Sequence, residues 1–344
     1  MSPYVYLLMV FALGLGTTIT FTSTHWLIAW MGLEINTMAI IPLMAQQHHP
    51  RAVEATTKYF LIQASAAAAL LFASTINAWF TGQWEISQLT NPLPLTIITI
   101  ALALKVGLAP MHSWLPDVMQ GLNLNTGLIL ATWQKLAPFS LLFQINNNPY
   151  LMIFLGLTSI LMGGWGGLNQ TQLRKLLAYS SIAHLGWMVL ILQFYPSLTL
   201  ITLITYIIMT FSIFNIFKMN KATNINSLST SWVKNPITSA MTPLILLSLG
   251  GLPPLTGFLP KWMILQELTK QHLTLTATVA ALSALISLYF YLRLSYALTL
   301  TTAPNTSTST TPWRFENQNM NMLTAISIIM TICMLPLLPT IMMI

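Results

Sequence analysis

The sequence predicts an all-α membrane protein that crosses the bilayer about eleven times, and two observations lead to this prediction. Of the 344 residues, 55% are hydrophobic and only 6% are charged, with a mean hydropathy of +0.70. Soluble domains carry roughly a quarter charged residues, so this chain could not cover a globular surface with hydrated side chains. Apolar runs that approach the roughly 20 residues of a membrane-spanning helix also recur along the whole chain.

Eleven apolar runs form the predicted spans, and short polar linkers separate them. They cover approximately residues 3–22, 25–45, 55–80, 93–120, 123–145, 149–168, 174–194, 197–217, 236–266, 274–299 and 322–343. The longest linker, around 299–321, is rich in Thr and Ser and is expected to be flexible. No part of the sequence fits a folded domain outside the membrane.

The fourth and ninth predicted spans are long because each contains one copy of an eleven-residue pattern. The copies read GLAPMHSWLPD over residues 107–117 and GLPPLTGFLPK over residues 251–261. Both run Gly-Leu-x-Pro, then an aromatic residue, Leu-Pro and a charge. Gly and Pro interrupt helices, and paired broken helices inside a membrane point to an ion or substrate path. The repeat therefore predicts two discontinuous helices and a transport function.

The loop charges predict the orientation of the chain. With eleven spans, the N-terminal side collects most of the loop cations, and the other side keeps only Lys270. The cations on the N-terminal side are Arg51, Lys58, Arg174, Lys175, Lys218, Lys221, Lys234 and Arg314, with Arg293 near that end of its helix. The positive-inside rule then puts the N-terminus in the cytoplasm or matrix and the C-terminus on the opposite side.

The same count predicts an inverted repeat. The two broken helices lie five spans apart, so they run in opposite directions through the membrane. Residues 1–145 and 146–300 are therefore predicted to form two five-helix repeats of inverted topology, followed by a linker and a C-terminal helix over 301–344.

Four charged residues lie well inside the predicted spans: Glu34, Lys105, Lys135 and Lys261. At a rise of about 1.5 Å per residue, the first three lie on the order of 14–18 Å from the start of their helices. Each charge at such a depth costs at least ~2.5–3.5 kcal/mol. Snorkelling to the interface is the alternative explanation, and it suits Lys261 best, because its depth depends on the position of the break.

These buried groups predict proton handling. Burial disfavours the charged form, so a buried Lys can gain or release a proton as nearby charges change. A row of such groups joined by water forms a proton relay. His112, inside the first break, and His184, midway along the seventh span, are further candidates, with a packing role between helices as the equal alternative for both.

Other features have simpler explanations. Glu54 and Lys58 are four residues apart and predict an interfacial ion pair. The remaining histidines, His25, His48, His49 and His272, lie at span ends, and the glycine-rich stretch 163–167 predicts close helix packing. The one cysteine excludes an intrachain disulfide and a Cys-ligated cluster. Scattered basic residues and missing phosphate-loop and zinc motifs argue against nucleic-acid, nucleotide and metal binding.

Four segments carry a resemblance to a known family. They read NQTQLRKLLAYSSIAHLGW over residues 169–187, GLE over 32–34, WQKLAP over 133–138 and LGGLPPLTGFLPKW over 249–262. The sequence resembles the antiporter-like membrane subunits of respiratory complex I along nearly its whole length. This resemblance implies two inverted five-helix repeats and a charged axis in the membrane plane, on which Glu34, Lys105, Lys135, Lys261 and His184 match family positions.

The resemblance also implies what the chain binds and where it lies. NADH, FMN, iron–sulfur clusters and ubiquinone would be bound by other subunits, and this chain would bind no cofactor. Its partners would be neighbouring antiporter-like and small membrane subunits, accessory subunits and lipids. The expected location is the mitochondrial inner membrane, with the N-terminus in the matrix and the C-terminus in the intermembrane space. The high count of 20 methionines suggests a mitochondrial genetic code.

The sequence departs from the family in two respects. It begins at what would be the fourth helix of bacterial members, and it has Ser113 and Asp117 where relatives often carry an aromatic residue and Glu. Two alternatives to a proton-translocating complex I subunit stay open at this point. One is a stand-alone cation/proton antiporter of the related multisubunit class, and the other is a scaffold or assembly subunit whose buried charges only specify packing.

Overall fold

A computed structural model describes residues 2–46, 49–145, 148–233, 235–300 and 322–337. Within these ranges the secondary structure is helical. The α-helices are α1 Pro3–Thr22, α2 Trp26–Met44, α3 Pro50–Thr81, α4 Pro92–Val106, α5 Trp114–Gly121, α6 Leu124–Ala131, α7 Trp133–Gln144, α8 Pro149–Gly167, α9 Leu173–Ile191, α10 Pro196–Met219, α11 Ile225–Ser229, α12 Pro236–Gly250, α13 Phe258–Lys270, α14 Thr274–Thr299 and α15 Met322–Cys333, with 3-10 turns at Thr230–Val233 and Leu335–Leu337. The predictions for His48, Lys234, Arg314 and most of the linker 299–321 fall outside the described residues.

Proline and glycine mark the helix ends. Proline occupies the first turn of α1, α3, α4, α10 and α12, where its missing N–H has no intrahelical partner to lose. Glycine follows the last residue of α3, α4 and α12 in the left-handed conformation, with φ of 74° at Gly82, 88° at Gly107 and 81° at Gly251. Only a residue without a Cβ adopts this backbone without strain.

Both predicted breaks are confirmed. α4 and α5 are separated by residues 107–113, and α12 and α13 by residues 251–257. Among the described residues, six other helices are each long and apolar enough to cross a membrane, namely α1, α2, α3, α8, α10 and α14. α9 also has 19 residues but is more polar, and the described part of the eleventh predicted span is the 12-residue α15.

The fifth predicted span, 123–145, contains two helices in place of one. The helix is interrupted at Thr132, which has φ −114° and ψ −67° and separates α6 from α7. The Thr132 hydroxyl donates to the carbonyl of Leu128 at 2.8 Å, an arrangement that bends helices. Pro138 also lacks an N–H for the carbonyl of Gln134 and crowds it, which weakens the helix within one turn of the interruption.

The chain divides into two compact units, Met1–Thr158 and Ser159–Ile344. In the first unit, α1 packs on α2, α3 packs on α2, α4 and α5, and α7 contacts α1, α2 and α4. In the second, α10 packs on α9, α12 and α15, while α14 packs on α12 and α13. The division lies inside α8, thirteen residues beyond the predicted repeat boundary at 145/146; the inverted repeat itself stays a prediction.

In each unit, two loops pair through their backbones at one end of the helices. In the first unit His25 pairs with Glu85 through the backbone, and the His25 ring stacks on Trp84 with centroids 5.5 Å apart. In the second unit Gln172 pairs with Asn224. Each pair brings together two loops that the span count places on one side of the membrane.

Candidate functional site

The first break leaves the carbonyl end of α4 open toward neighbouring side chains. The Trp114 indole, at the start of α5, donates to the carbonyl of Leu104 at 3.2 Å. From α3, the Gln63 amide donates to the carbonyl of Lys105 at 3.4 Å. Lys105 lies in the last turn of α4, where the helix dipole favours a positive charge.

Lys105 and Lys135 are both buried and lie in the wall of one small cavity. Their exposed fractions are 6% and 5%, and Lys105 Nζ has no hydrogen-bond partner among the described residues. The cavity has a volume of ≈ 20 Å³, which is enough for about one water molecule. Tyr59, Gln63 and Trp114 also line it. The structure therefore brings two of the predicted intramembrane lysines together around a small polar space.

Glu34 lies beside this cavity but does not form an ion pair with either lysine. Its carboxylate accepts a hydrogen bond from the Thr37 hydroxyl at 3.0 Å, and Thr37 lines the cavity. The carboxylate is close enough to act electrostatically on Lys105 and on the Tyr59 hydroxyl. No carboxylate–lysine contact within 4.0 Å involves Glu34 in the part of the chain that the structure describes. Its charge thus reaches Lys105 through space.

The second break places Lys261 against the end of the other half-helix. Lys261 lies in the first turn of α13, and its Nζ reaches back to the carbonyl end of α12. It donates to the carbonyl of Gly250 at 2.8 Å and more weakly to that of Leu249 at 3.5 Å. These carbonyls form the negative end of a helix dipole, which stabilises an ammonium group. The backbone contact argues against snorkelling, the alternative explanation for this lysine.

His184 and Lys261 share a second cavity, which lies within the unit Ser159–Ile344. Its volume is also ≈ 20 Å³, and Thr202, Thr205 and Met209 of α10 complete much of its wall. The His184 ring lies 5.6 Å from the ring of Tyr206. The predicted histidine and lysine of this unit are therefore brought together.

His112 and Asp117 occupy different positions. His112 is half-buried in the first break, where its ring interacts with the backbone carbonyl of Pro110, and it does not line the lysine cavity. Asp117 is exposed and lies 3.6 Å from Lys58, which also forms the predicted pair with Glu54 at 2.7 Å. These charges surround an open cavity of ≈ 190 Å³ at the end of α5.

The two breaks therefore differ in their chemistry although their sequences match. Lys261 and Asp117 hold the same position in the eleven-residue pattern. Lys261 turns inward to the carbonyl end of α12, whereas Asp117 pairs at the surface with a residue of α3. At the first break, the indole of Trp114 contacts the carbonyl end of α4 instead.

Sequence reasoning missed the neutral polar residues of the first cavity. Asn36 and Gln134 line it, and the Gln134 amide donates to the backbone carbonyl of Asn36 at 3.4 Å. The signal in the sequence was the presence of uncharged amide side chains within apolar spans. Burying an amide costs less free energy than burying a charge, so this signal is weaker. Among the described residues no group of three or more His, Cys, Asp or Glu side chains could hold a metal ion.

Comparison with known proteins identifies the family. Residues 23–287 match the family described as NADH:quinone oxidoreductase/Mrp antiporter, TM, and residues 288–342 match NADH dehydrogenase subunit 2 C-terminus. NADH-ubiquinone oxidoreductase chain 2 of Tetraodon nigroviridis is 69% identical over 291 residues, which are 84% of each chain. The protein of the same name from Oncorhynchus mykiss is 64% identical over 292 residues, again 84% of each chain.

Solved structures agree with this result. A chain of respiratory complex I from Thermus thermophilus, with bound aureothin, has a TM-score of 0.86 and 27% identity. The match covers 99% of this chain and 79% of that chain. A chain of the Mrp complex from Dietzia is 16% identical with a TM-score of 0.74, covering 84% of this chain and 60% of that chain, and shows the shared fold alone. The chain therefore belongs to the NADH:quinone oxidoreductase/Mrp antiporter family and, within it, to the NADH-ubiquinone oxidoreductase chain 2 proteins.

Proposed function

We propose that this chain, as a membrane subunit of an NADH-ubiquinone oxidoreductase, couples electron transfer in other subunits to proton translocation, and that it does so at two lysine sites. The first contains Glu34, Lys105 and Lys135, and the second contains His184 and Lys261. The observation that carries the proposal is the pair of buried lysines at one water-sized cavity. His112 is assigned a secondary role at the first break.

The chemistry of the first site follows from its charges. Two ammonium groups facing one small cavity repel each other, and burial adds to the cost of charging both. One of them is therefore readily induced to release its proton. A carboxylate near an ammonium group favours its charged form, and Glu34 lies beside this cavity through its hydrogen bond with Thr37. A change in the position or charge of Glu34 would shift the proton between the lysines and water, which links an electrostatic signal to proton movement.

The second site works with different groups. Its one lysine is held by helix-end carbonyls, which favour the charged form, and His184 lines the same cavity. A neutral imidazole accepts a proton at one ring nitrogen and donates from the other, so it serves as the exchange partner of Lys261.

The family membership and the apolar helices imply an inner-membrane location, within a membrane complex of several different subunits. For the orientation we propose that the N-terminus faces the matrix and the C-terminus the intermembrane space, as the loop cations indicate. Labelling with a membrane-impermeant thiol reagent tests this: in matrix-side-out vesicles of a Cys333→Ser background, Asn226→Cys should react and Glu85→Cys should not. The reverse pattern would contradict the orientation.

Two experiments on the assembled complex test the lysine sites. Lys105→Met and Lys261→Met should abolish most proton translocation per NADH oxidised in sealed vesicles, while the complex still assembles. Lys270→Met is the matched control, because Lys270 is 60% exposed and pairs only with Glu267 at the surface among the described residues. A normal ratio of protons to NADH in the first two variants would favour the scaffold alternative.

A further inference from the structure

We propose that Asn36 is a positioning residue of the first lysine site, and that its side-chain amide holds a water molecule between Lys105 and Lys135. This inference rests on the proposed function, because it assigns the residue that orients the proton-carrying water of that site. Asn36 lies in α2, one turn before Ile40 and two residues after Glu34, and it was not a candidate from the sequence.

The first observation is a set of buried polar atoms without partners. Asn36 is 2% exposed, and neither its Oδ1 nor its Nδ2 has a hydrogen-bond partner among the described residues. Lys105 Nζ has none either, and both residues line the same cavity. Buried polar atoms in folded proteins are nearly always hydrogen-bonded, to protein or to ordered water. The ≈ 20 Å³ cavity exceeds the ~10–15 Å³ that a water molecule needs.

An amide suits this position for a chemical reason. Water bound to a lysine ammonium accepts a hydrogen bond and must then donate its own hydrogens elsewhere. The Oδ1 of Asn36 offers the acceptor. When that lysine becomes neutral, its nitrogen accepts from the water, and the water needs a donor, which Nδ2 supplies. A side chain with both a donor and an acceptor therefore fits the water in either protonation state of the lysine.

The surrounding helices hold the amide in place. A Cβ added at Gly16 of α1 would lie 2.5 Å from Asn36 Oδ1 and 2.8 Å from its Cγ, so the amide depends on the missing side chain there. On the other side, the Gln134 amide donates to the Asn36 backbone carbonyl and ties α2 to α7, one residue before Lys135. The contacts from two helices fix where Asn36 presents its amide.

The test measures protons translocated per NADH oxidised by the assembled complex in sealed vesicles. Asn36→Leu keeps the branching and the number of heavy atoms of the side chain and removes its hydrogen bonds, and it should lower this ratio toward that of Lys105→Met. Asn36→Ser keeps a donor and an acceptor and leaves room for a second water, so it should retain most of the ratio. A purely structural role for Asn36 predicts the opposite order, since Ser leaves a void where Leu fills the space.

Two glycine variants test the same claim without changing Asn36. Gly16→Ala should displace the amide and lower the ratio, whereas Gly14→Ala should not, because a Cβ at Gly14 meets nothing within 4 Å. The Cβ added at Gly16 would also lie 2.9 Å from the backbone oxygen of Gly32, so the informative result of this pair is an unchanged ratio, which would overturn the claim even if Asn36→Leu does not assemble. Equal ratios in Gly16→Ala and Gly14→Ala, or in Asn36→Leu and the parent, would overturn the role of Asn36. Lys105→Met separates the two claims when the Asn36 test is negative. If Lys105→Met then translocates protons normally, the proposed function fails as well. If Lys105→Met has lost translocation, the proposed function stands and only the role of Asn36 is wrong.

Discussion

Lys105 and Lys261 both lie at the carbonyl end of a helix, but they belong to different parts of the break. Lys105 belongs to the last turn of α4, while Lys261 belongs to α13 and reaches back to the carbonyl end of α12. Each helix end carries about half a negative charge, which offsets part of the cost of burying an ammonium group. The break in the chain thus places each of these lysines at the carbonyl end of a helix, which lowers the cost of its charge.

Gly251 is required for two reasons, its left-handed backbone and the close approach of the Lys261 side chain, and its substitution should affect both. Its φ of +81° is strained for any residue with a Cβ, and that Cβ would lie 2.9 Å from Lys261 Cδ. We expect Gly251→Ala to destabilise the protein by about 1–2 kcal/mol and to weaken the Lys261–Gly250 hydrogen bond. The melting temperature of the purified complex and its proton-to-NADH ratio should both fall.

Gly250→Ala is the matched control for this prediction. Gly250 is a helical residue, and an added Cβ would meet its nearest neighbour, Tyr291, at 3.6 Å, an ordinary contact. It should leave both measured quantities close to those of the parent. If Gly251→Ala and Gly250→Ala behave alike, the left-handed turn does not hold Lys261.

At the scale of the helices, small residues allow neighbouring helices to pack closely. The glycine-rich end of α8 confirms the packing prediction from the sequence. A Cβ at Gly163 would lie 2.6 Å from the backbone nitrogen of Ala183 in α9, and one at Gly166 would collide with the ring of Tyr179. The helix α9 carries His184 one residue after Ala183, so this packing also sets the position of the histidine.

Substitution of Gly163 should therefore affect both stability and the second site. Gly163→Ala must push α9 away from α8, because the obstructing atom belongs to the backbone and cannot rotate aside. We expect a lower melting temperature of the complex and a lower proton-to-NADH ratio. The control is again Gly14→Ala, whose added methyl group meets open space. A Gly163→Ala complex with unchanged stability would contradict the packing argument.

The breaks show what the sequence can predict about helices. At residues 107–113 and 251–257 a left-handed glycine and one or two prolines occur together, and this combination predicted both interruptions. Proline alone is not sufficient, since Pro42 and Pro243 lie inside continuous helices. The interruption at Thr132 escaped prediction because threonine is compatible with a helix, and its hydroxyl bond to Leu128 appears only in the folded chain.

The candidate site was predictable to a similar degree. The charged residues at membrane depth identified Lys105, Lys135 and Lys261, because a buried charge is costly wherever the chain folds. Which of them share a cavity depends on how the helices pack, and this is not encoded in any local pattern. Asn36 illustrates the limit: the role that we propose for it depends on the absence of a side chain at Gly16, twenty residues earlier in the sequence.

At the scale of the whole molecule, each compact unit contains one copy of the glycine–proline break and, among its described residues, a small cavity lined by lysine. The cavities differ in composition: two lysines, an asparagine and a nearby glutamate in one, and a lysine with a histidine in the other. The shared hinge sequence therefore does not imply a shared mechanism. Lys105→Met and Lys261→Met are therefore expected to differ in their effects on proton translocation.

The central claim is that a buried lysine carries a proton, and Lys105→Arg tests it most directly. Arginine keeps the positive charge and the length of the side chain but does not release its proton in proteins. We predict that the assembled Lys105→Arg complex translocates no more protons per NADH oxidised than Lys105→Met, while Lys270→Arg behaves like the parent. A Lys105→Arg complex with the parent ratio would show that a fixed charge is sufficient and would contradict the account.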